Sequence, residues 1–249
     1  MAKINLGLDV LGKREDGYHE VRMIMQTIRM YDILDIRKTR RPGIVLTTNL
    51  PFIPTDQRNL VYKAAQMLME EFDVEEGLSI KLRKFIPVAA GMAGGSSDAA
   101  AAFVGVNRMF HLGLTEEQLM ERAVKVGADV PYCIMRGTAL AEGIGEKLTR
   151  LPEVPKCYVL IGKPGINVST KTAYENLNLE GIGKHPDIDG LIGAIRAGYA
   201  GRRLRGGRSS AGPYLMRGIS PFAGLFRGSG PVSRRRTGWN PYAAAIGRL

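Results

Sequence analysis

Apolar and polar residues alternate from the start of the chain. Ile4, Leu6, Leu8 and Val10 share one face of a period-two pattern, which predicts a half-buried β-strand. Three further runs of strand-like composition follow, at residues 21–28, 31–38 and 43–48. We expect these four segments to form an antiparallel meander.

A helical period replaces the alternation in the next segment. Apolar residues recur at spacings of three and four from Leu60 to Phe72, and Asp56 is expected to cap this helix. Residues 78–85 alternate again and predict a strand. The first part of the chain therefore mixes helices with strands, which is typical of the α+β class.

The remaining elements are predicted from a cap and from short periodic runs. Thr115 and Gln118 form a capping-box pattern, so a helix is expected to begin there and to end at Gly127. Further strands are predicted at 137–143 and 157–164, and further helices at 169–177 and 187–197.

Positive charge is concentrated at the C-terminal end. The formal net charge is +11. Residues 1–198 contain 25 Lys and Arg against 24 Asp and Glu, whereas residues 199–249 contain ten Arg and no acidic residue. This last segment also lacks a sustained helical or strand period, which is typical of a chain that packs no core. We expect either a disordered Arg/Gly-rich tail or a stretch translated out of frame.

The composition excludes several classes of protein. Two cysteines cannot build a disulfide framework or a four-ligand zinc site. No apolar run approaches the roughly 18 residues of a membrane span. The N-terminal segment is interrupted by Asn5, Gly7 and Asp9, unlike a signal peptide. We therefore expect a cytoplasmic protein with no membrane partner, and the sequence leaves its oligomeric state open.

The segment 87–100, PVAAGMAGGSSDAA, carries the strongest local signal. Its three glycines allow close approach of the backbone to a ligand. Ser96 and Ser97 open a helix whose first N–H groups attract an anion. Neither the P-loop pattern nor the dinucleotide pattern GxGxxG is present. We interpret the segment as a phosphate-binding loop, and an ordinary glycine turn with a serine cap is the alternative.

Two charged residues far apart in the chain suit phosphoryl transfer if they meet. Asp129 lies in a turn-like segment just before Pro131, and Lys3 lies on the polar face of the first strand. A carboxylate can take or orient the proton of an acceptor hydroxyl, and a nearby ammonium neutralises charge on the transferred group. Taken singly, Asp129 also fits a helix cap and Lys3 a surface charge.

The turn DGYHE at residues 16–20 adds an aromatic ring and an imidazole. The Tyr18 ring can stack on a base or a sugar, and His19 can hydrogen-bond it. The plainer interpretation is a packed tyrosine beside a surface histidine.

Together these segments resemble the GHMP kinase superfamily. The loop is similar to the pattern PxxxGLGGSSAA, with Met92 and Ala93 where leucine and glycine are common. AKINL joined to DGYHE narrows the resemblance to the branch that phosphorylates a cytidine-diphosphate-linked alcohol on the non-mevalonate route to isoprenoid precursors. The resemblance covers about residues 1–198.

The resemblance implies a role for each matching position. Asp129 would be the base or orienter of a 2-hydroxyl on a small-molecule substrate, and Lys3 its electrostatic partner. Asn5, Tyr18 and His19 would hold the cytidine diphosphate end of that substrate. ATP would be the co-substrate with Mg²⁺ as its counter-ion, for which Ser97 is the candidate ligand. The residues expected to cradle the ATP phosphates are Pro87, Val88, Ala89, Ala90, Gly91, Met92, Ala93, Gly94, Gly95, Ser96 and Ser97.

The resemblance also implies two domains. Residues 1–150 would form a ribosomal protein S5-like N-terminal domain that binds ATP, and residues 151–198 the start of an incomplete ferredoxin-like C-terminal domain. The late glycine motif expected there, similar to GSGPTVF, is matched only by GSGPV at 228–232, which an arginine run follows. Residues 199–249 therefore depart from the resemblance.

Three alternatives stay open. Another kinase of the superfamily would phosphorylate a different small alcohol, such as homoserine or a relative of mevalonate. A member damaged by its altered C-terminus would bind ATP weakly and turn nothing over. A protein of another class would use the tail arginines to bind nucleic acid without catalysis, although the near-neutral charge of residues 1–198 speaks against that class.

Overall fold

A computed structural model describes residues 1–162, 174, 176, 177, 179 and 185–198, together with the backbone of residues 244–248. Most of the helix predicted at 169–177 and most of the tail at 199–249 lie outside these residues. In chain order the elements are β1 (Lys3–Lys13), β2 (His19–Thr27), β3 (Ile33–Thr39), β4 (Ile44–Thr48), α1 (Leu60–Glu71), β5 (Gly77–Arg83), α2 (Gly94–Met109), α3 (Glu116–Ala123), α4 (Val130–Met135), β6 (Thr138–Gly143), β7 (Lys147–Leu151), β8 (Tyr158–Gly162), α5 (Ile188–Arg196) and β9 (Ala244–Arg248).

The first sheet has the order β1-β2-β6-β7, and each neighbouring pair is antiparallel. The register between β1 and β2 shifts between Asn5 and Gly7 and again between Val10 and Gly12. Such irregularities bend a strand and change the direction of its side chains. Gly7 also allows α5 to pack closely against β1, because a methyl group at this position would lie 3.0 Å from the side chain of Ile188.

The predicted four-stranded meander is wrong. β3 and β4 belong to a second sheet, of order β3-β5-β4, in which β4 and β5 run parallel. Helix α1 connects β4 to β5, and a crossover of this kind is what parallel pairing requires. Alternation in the sequence reports which face of a strand is buried and does not identify the neighbouring strand.

The predicted cap of α1 is also wrong. Asn59 is the N-cap, and its side-chain oxygen accepts a hydrogen bond from the Val61 N–H at 2.9 Å. Asn59 is buried and its amide donates to the Pro54 carbonyl. Asp56 forms an ion pair with Arg58 on the surface instead. Tertiary contacts thus select one of two chemically capable caps.

The main hydrophobic cluster contains residues of α1, α2 and both sheets. Leu68 of α1, Ile80 of β5 and Phe103 of α2 are completely buried in it. Gly105 allows α2 to approach β3 closely, because a methyl group there would lie 2.7 Å from the Ile36 side chain. Burial of this apolar surface fixes the direction of α2 and therefore the position of its N-terminus.

Several later elements lie where the sequence predicts them. The capping box of α3 is complete, with Thr115 and Gln118 each accepting from the backbone of the other, although the helix ends at Ala123 and Gly127 lies beyond it. Strands β6 and β8 and helix α5 lie within their predicted ranges. Strand β7 and the six-residue helix α4 are not predicted from the sequence pattern, because short elements leave too few positions to show a period.

Strand β9 lies within the segment for which no regular element is expected, and it pairs antiparallel with β8.

None of the helices in the described part of the chain combines the length and apolar character that a membrane crossing requires.

Candidate active site

An open cleft of about 2020 Å³ gathers the candidate residues. Its walls come from the start of β1, the turn before β2, the glycine loop, the segment before α4, and β8. These segments are distant in the chain, so the cleft is a product of the tertiary fold. All the candidate residues except Ser97 line it.

The glycine loop connects β5 to α2 through residues of unusual backbone geometry. Ala89, Gly91 and Ala93 adopt positive φ angles of 53°, 67° and 53°. Ala93 is the N-cap of α2, and it has no side-chain group that could accept the first N–H groups of the helix. Those N–H groups have no acceptor within the helix. An anion in the cleft can therefore bind them.

The loop is anchored to the start of β1. The backbone N–H of Lys3 donates to the Met92 carbonyl at 3.0 Å. The Met92 side chain is buried in a small apolar cluster with Ala2, Ile28 and Ile86. This position, where leucine is common in the superfamily pattern, therefore needs an apolar side chain that reaches the cluster, and methionine meets the requirement.

Lys3 and Asp129 meet in the cleft. Lys3 Nζ lies 3.6 Å from Asp129 Oδ2, and it donates a hydrogen bond to Asn5 Oδ1 at 3.2 Å. The side chain of Lys3 is 7% exposed, whereas that of Asp129 is 32% exposed. Lys3 is thus not a surface charge. The arrangement presents a carboxylate that a substrate can reach, with a buried cation beside it.

Helix α4 positions Asp129. Asp129 occupies its N-cap position, but the carboxylate makes no capping hydrogen bond. The Tyr132 hydroxyl donates to the Gly137 carbonyl at 2.7 Å and lies 3.0 Å from Thr27 Oγ1. Burial raises the pKa of Tyr132, so its hydroxyl stays protonated and keeps donating. This network ties α4 to β2 and leaves the Asp129 carboxylate available.

Aromatic side chains form another part of the cleft. Tyr18 is 58% exposed. The His19 ring lies 5.1 Å from the Tyr174 ring between centroids, with the planes inclined at 31°. Burial, and then the charge of Asp129, raise the pKa of Tyr174. Tyr174 is missed by the sequence analysis, because in a predicted helix nothing local distinguishes it from a core aromatic residue.

A buried charged cluster beside the loop is also not predicted from the sequence. Lys84 Nζ donates to Asp98 Oδ2 at 2.6 Å and forms an ion pair with Asp32. Each of the three side chains is at most 5% exposed. Burial, partly offset by Lys84, raises the pKa of Asp98 to about 7. The sequence signal that could have revealed the cluster is Asp98, a charged residue on the buried face of α2.

The candidate metal ligand Ser97 lies outside the lining of the cleft. It is buried, and its hydroxyl donates to the Gly94 carbonyl at 3.0 Å. Its neighbour Ser96 does line the cleft. Among the described residues no group of three or more His, Cys, Asp and Glu side chains could hold a metal ion. Mg²⁺ that accompanies a nucleotide commonly takes most of its ligands from phosphates and water.

Comparison with known proteins agrees with this geometry. Residues 59–137 match the family described as GHMP kinases N terminal domain. The matched range includes the glycine loop, helix α2 and Asp129. Sequence similarity to this family therefore covers both the loop and the carboxylate of the cleft.

Two similar proteins and one similar crystal structure are named for the same kinase. The 4-diphosphocytidyl-2-C-methyl-D-erythritol kinase of Lachnospira eligens is 56% identical over 195 residues, which cover 78% of this chain and 68% of the relative. The protein of that name from Lachnoclostridium phytofermentans is 58% identical over 194 residues, covering 78% and 67%. The crystal structure of a 4-(cytidine 5'-diphospho)-2C-methyl-D-erythritol kinase has a TM-score of 0.67 at 32% identity, covering 79% of this chain and 70% of that one.

Proposed function

Because the chain belongs to the 4-diphosphocytidyl-2-C-methyl-D-erythritol kinase family of GHMP kinases, we propose that it transfers the γ-phosphoryl group of ATP to the 2-hydroxyl of 4-diphosphocytidyl-2-C-methyl-D-erythritol. The observation that carries the proposal is the approach of Lys3 to Asp129 in the cleft that the glycine loop also lines. An anion site and an acid–base group thus share one cleft.

Asp129 accepts the proton of the acceptor hydroxyl in this mechanism. The hydroxyl oxygen forms a bond to the γ-phosphorus, the bond from that phosphorus to the bridging oxygen breaks, and ADP leaves. Lys3 neutralises charge on the moving phosphoryl group. Asn5 orients the Lys3 ammonium through their hydrogen bond. No covalent enzyme intermediate is needed, because positioning and electrostatics suffice for this reaction.

The glycine loop binds the ATP phosphates through backbone donors. The first turn of α2 supplies N–H groups at the positive end of the helix. The residues of the loop that line the cleft are Pro87, Val88, Ala89, Ala90, Gly91, Met92, Ala93, Gly94, Gly95 and Ser96. Mg²⁺ supplies further neutralisation of the phosphate charge when bound. Ser96 is the loop hydroxyl that reaches the cleft, which favours it over Ser97 as a ligand.

The cytidine end of the acceptor binds at the aromatic side chains. Tyr18 offers an exposed ring, and His19 offers an imidazole held against the Tyr174 ring. A pyrimidine base presents two flat faces, on which an aromatic ring can stack, and polar edges, to which an imidazole can hydrogen-bond. Tyr18, His19 and Tyr174 line the same cleft as Asp129, so a substrate bound at these rings can extend to the reacting groups.

Residues 1–150 form the ATP-binding domain in this proposal, and residues 151–198 the start of a second domain. Arg22 of β2 binds both carboxylate oxygens of Asp189 in α5, at 2.8 and 2.6 Å. His185 Nδ1 lies 2.7 Å from Asp9 Oδ1. The similarity to the relatives extends over 194 to 195 residues, which supports a boundary of the resemblance near residue 198. Within residues 199–249, strand β9 nevertheless pairs with β8.

The proposal is tested by ADP release from ATP with purified full-length chain and Mg²⁺. Three acceptors are compared in separate reactions: 4-diphosphocytidyl-2-C-methyl-D-erythritol, homoserine and mevalonate. We expect release with the first acceptor only, and phosphorus NMR of the product should place the new phosphate on the 2-hydroxyl. Release with homoserine or mevalonate alone would overturn the acceptor assignment. No release with any acceptor would overturn the assignment as an active kinase.

A further inference from the structure

The buried cluster of Asp32, Lys84 and Asp98 takes no part in the phosphoryl transfer described above. Asp32 directly precedes β3, Lys84 directly follows β5, and Asp98 lies in the second turn of α2. Two of the three, Lys84 and Asp98, line the cleft. Three charged groups in such a position require desolvation that only good mutual contacts can offset.

Asp32 holds the entrance of the glycine loop. Its Oδ1 accepts hydrogen bonds from the backbone N–H groups of Phe85 and Ile86, the latter at 2.8 Å. The adjacent Lys84 backbone is held as well, because its N–H donates to Asn49 Oδ1 at 2.8 Å and its carbonyl accepts from Asn49 Nδ2 at 3.2 Å. Residues 84–86, which lead into the loop, are therefore held by the side chains of Asp32 and Asn49.

Asp98 holds the exit of the loop. It belongs to α2, whose first turn begins directly after the loop. The Lys84 ammonium lies beneath that turn, because a methyl group on Gly94 would be only 3.2 Å from Lys84 Nζ. Lys84 thus bridges the Asp32 carboxylate at the loop entrance to the Asp98 carboxylate at its exit.

Stability alone gives little reason for this bridge. Buried ion pairs can often be replaced by apolar residues of similar volume without loss of stability. An ammonium under the N-terminus of a helix is also unfavourable with respect to the helix dipole, and it is tolerated here because two carboxylates bind it. What the bridge does provide is a fixed distance between the two ends of the loop.

We propose that Lys84 and Asp98 are positioning residues that set the spacing of the loop amides for the phosphates of the nucleotide. The inference rests on the proposed function, because it presumes that the nucleotide binds at this loop. It adds two residues outside the loop itself, whose proposed role is to hold the two ends of the loop. The bridge is expected to govern the affinity for ATP and to leave the acceptor site and the chemical step unaffected.

The test compares two substitutions at Asp98 in the full-length chain. Asp98→Ala cuts the link to α2 and leaves the Lys84–Asp32 ion pair balanced. Asp98→Asn retains an oxygen that can accept from Lys84. We expect Asp98→Ala to raise the KM for ATP at least tenfold, with kcat within threefold and the KM for the acceptor within twofold. Asp98→Asn should keep the KM for ATP within twofold of wild type.

Matched controls separate positioning from general loss of structure. Lys81→Met changes a solvent-facing lysine on β5, the strand that leads to Lys84, and it should leave every kinetic constant unchanged. If Asp98→Ala does not fold, Lys84→Met combined with Asp98→Asn removes one charge of each sign and should show the same rise in the KM for ATP.

Two outcomes would overturn the inference while the proposed function stands. One is wild-type activity with an unchanged KM for ATP in Asp98→Ala. The other is equal impairment of Asp98→Asn and Asp98→Ala. Calorimetric titration with ATP gives the same comparison without turnover, so an inactive wild-type chain that still binds ATP would overturn the proposed function alone. A wild-type chain that binds no ATP would overturn both.

Discussion

The ammonium of Lys3 lies 3.6 Å from the carboxylate of Asp129. One residue stands at the start of β1 and the other just before α4. Their approach therefore depends on the packing of α4 against α2 and α3 and on the hydrogen bond between Tyr132 and Thr27 of β2. The Asp129 carboxylate is partly exposed and the Lys3 ammonium is buried, and the proposed mechanism gives the two groups different roles. Removal of either group should therefore have its own kinetic consequence.

Asp129→Asn should lower kcat by at least about 100-fold, because the amide cannot accept the hydroxyl proton. The KM for ATP should change little, since the phosphates bind at the loop. Steady-state ADP release at saturating ATP measures kcat, and an ATP titration measures the KM. Asp35→Asn, a change on β3 outside the lining of the cleft, serves as the control and should retain wild-type rates. Wild-type kcat in Asp129→Asn would remove this residue from the mechanism.

Lys3→Met should lower kcat by about 10- to 100-fold, because it keeps the apolar stem and removes the charge that stabilises the transferred group. The double variant with Asp129→Asn should be no slower than the slower single variant, since both residues act on one step. The measurement is kcat for the four members of the cycle. Multiplicative losses would indicate independent roles and contradict the pairing.

Ala93→Gly should raise the free energy of unfolding by roughly 0.5 kcal/mol, because Ala93 has a φ angle of 53° that glycine adopts without strain. Ala101→Gly, in the middle of α2, is the matched change and should lower it by about 1 kcal/mol. Urea denaturation of both variants gives the comparison. Equal destabilisation by the two substitutions would show that the left-handed conformation at residue 93 carries no strain.

Asp98→Asn should alter the dependence of stability on pH. Burial raises the pKa of Asp98 to about 7, whereas the pKa of an aspartate in the unfolded chain is about 3.9. Between these values the native state holds the extra proton, so the contribution of Asp98 to stability is present below about pH 4 and is lost as pH rises through about 7. Between pH 4 and pH 8, the free energy of unfolding of Asp98→Asn should rise by about 1–3 kcal/mol relative to that of wild type.

Urea unfolding of both proteins at several pH values across that interval measures the difference in free energy. The amide side chain of the variant does not titrate, so the two curves should diverge as pH rises. Parallel curves would show that Asp98 is ionised in the native protein throughout.

Local chemistry accounts for the elements that the sequence predicts well. The period of α1, the Thr115–Gln118 capping box and the alternation of β5 all depend on residues within a few positions of one another. The glycine loop is equally local, because a glycine such as Gly91 adopts a positive φ angle without strain just before the helix. These features needed no knowledge of distant segments.

Tertiary packing decided the rest. Alternation could not say that β4 would pair with β5 across α1, and propensity could not choose Asn59 over Asp56 as a cap. Lys3 and Asp129 are identified from the sequence by charge and context, but the distance between them was set by the packing of α4 against α2 and α3 and by its hydrogen bond to β2. The Asp32–Lys84–Asp98 cluster was missed for the same reason. Nothing near each charged residue in the sequence indicates burial, and only the fold shows that the three are buried in contact with one another.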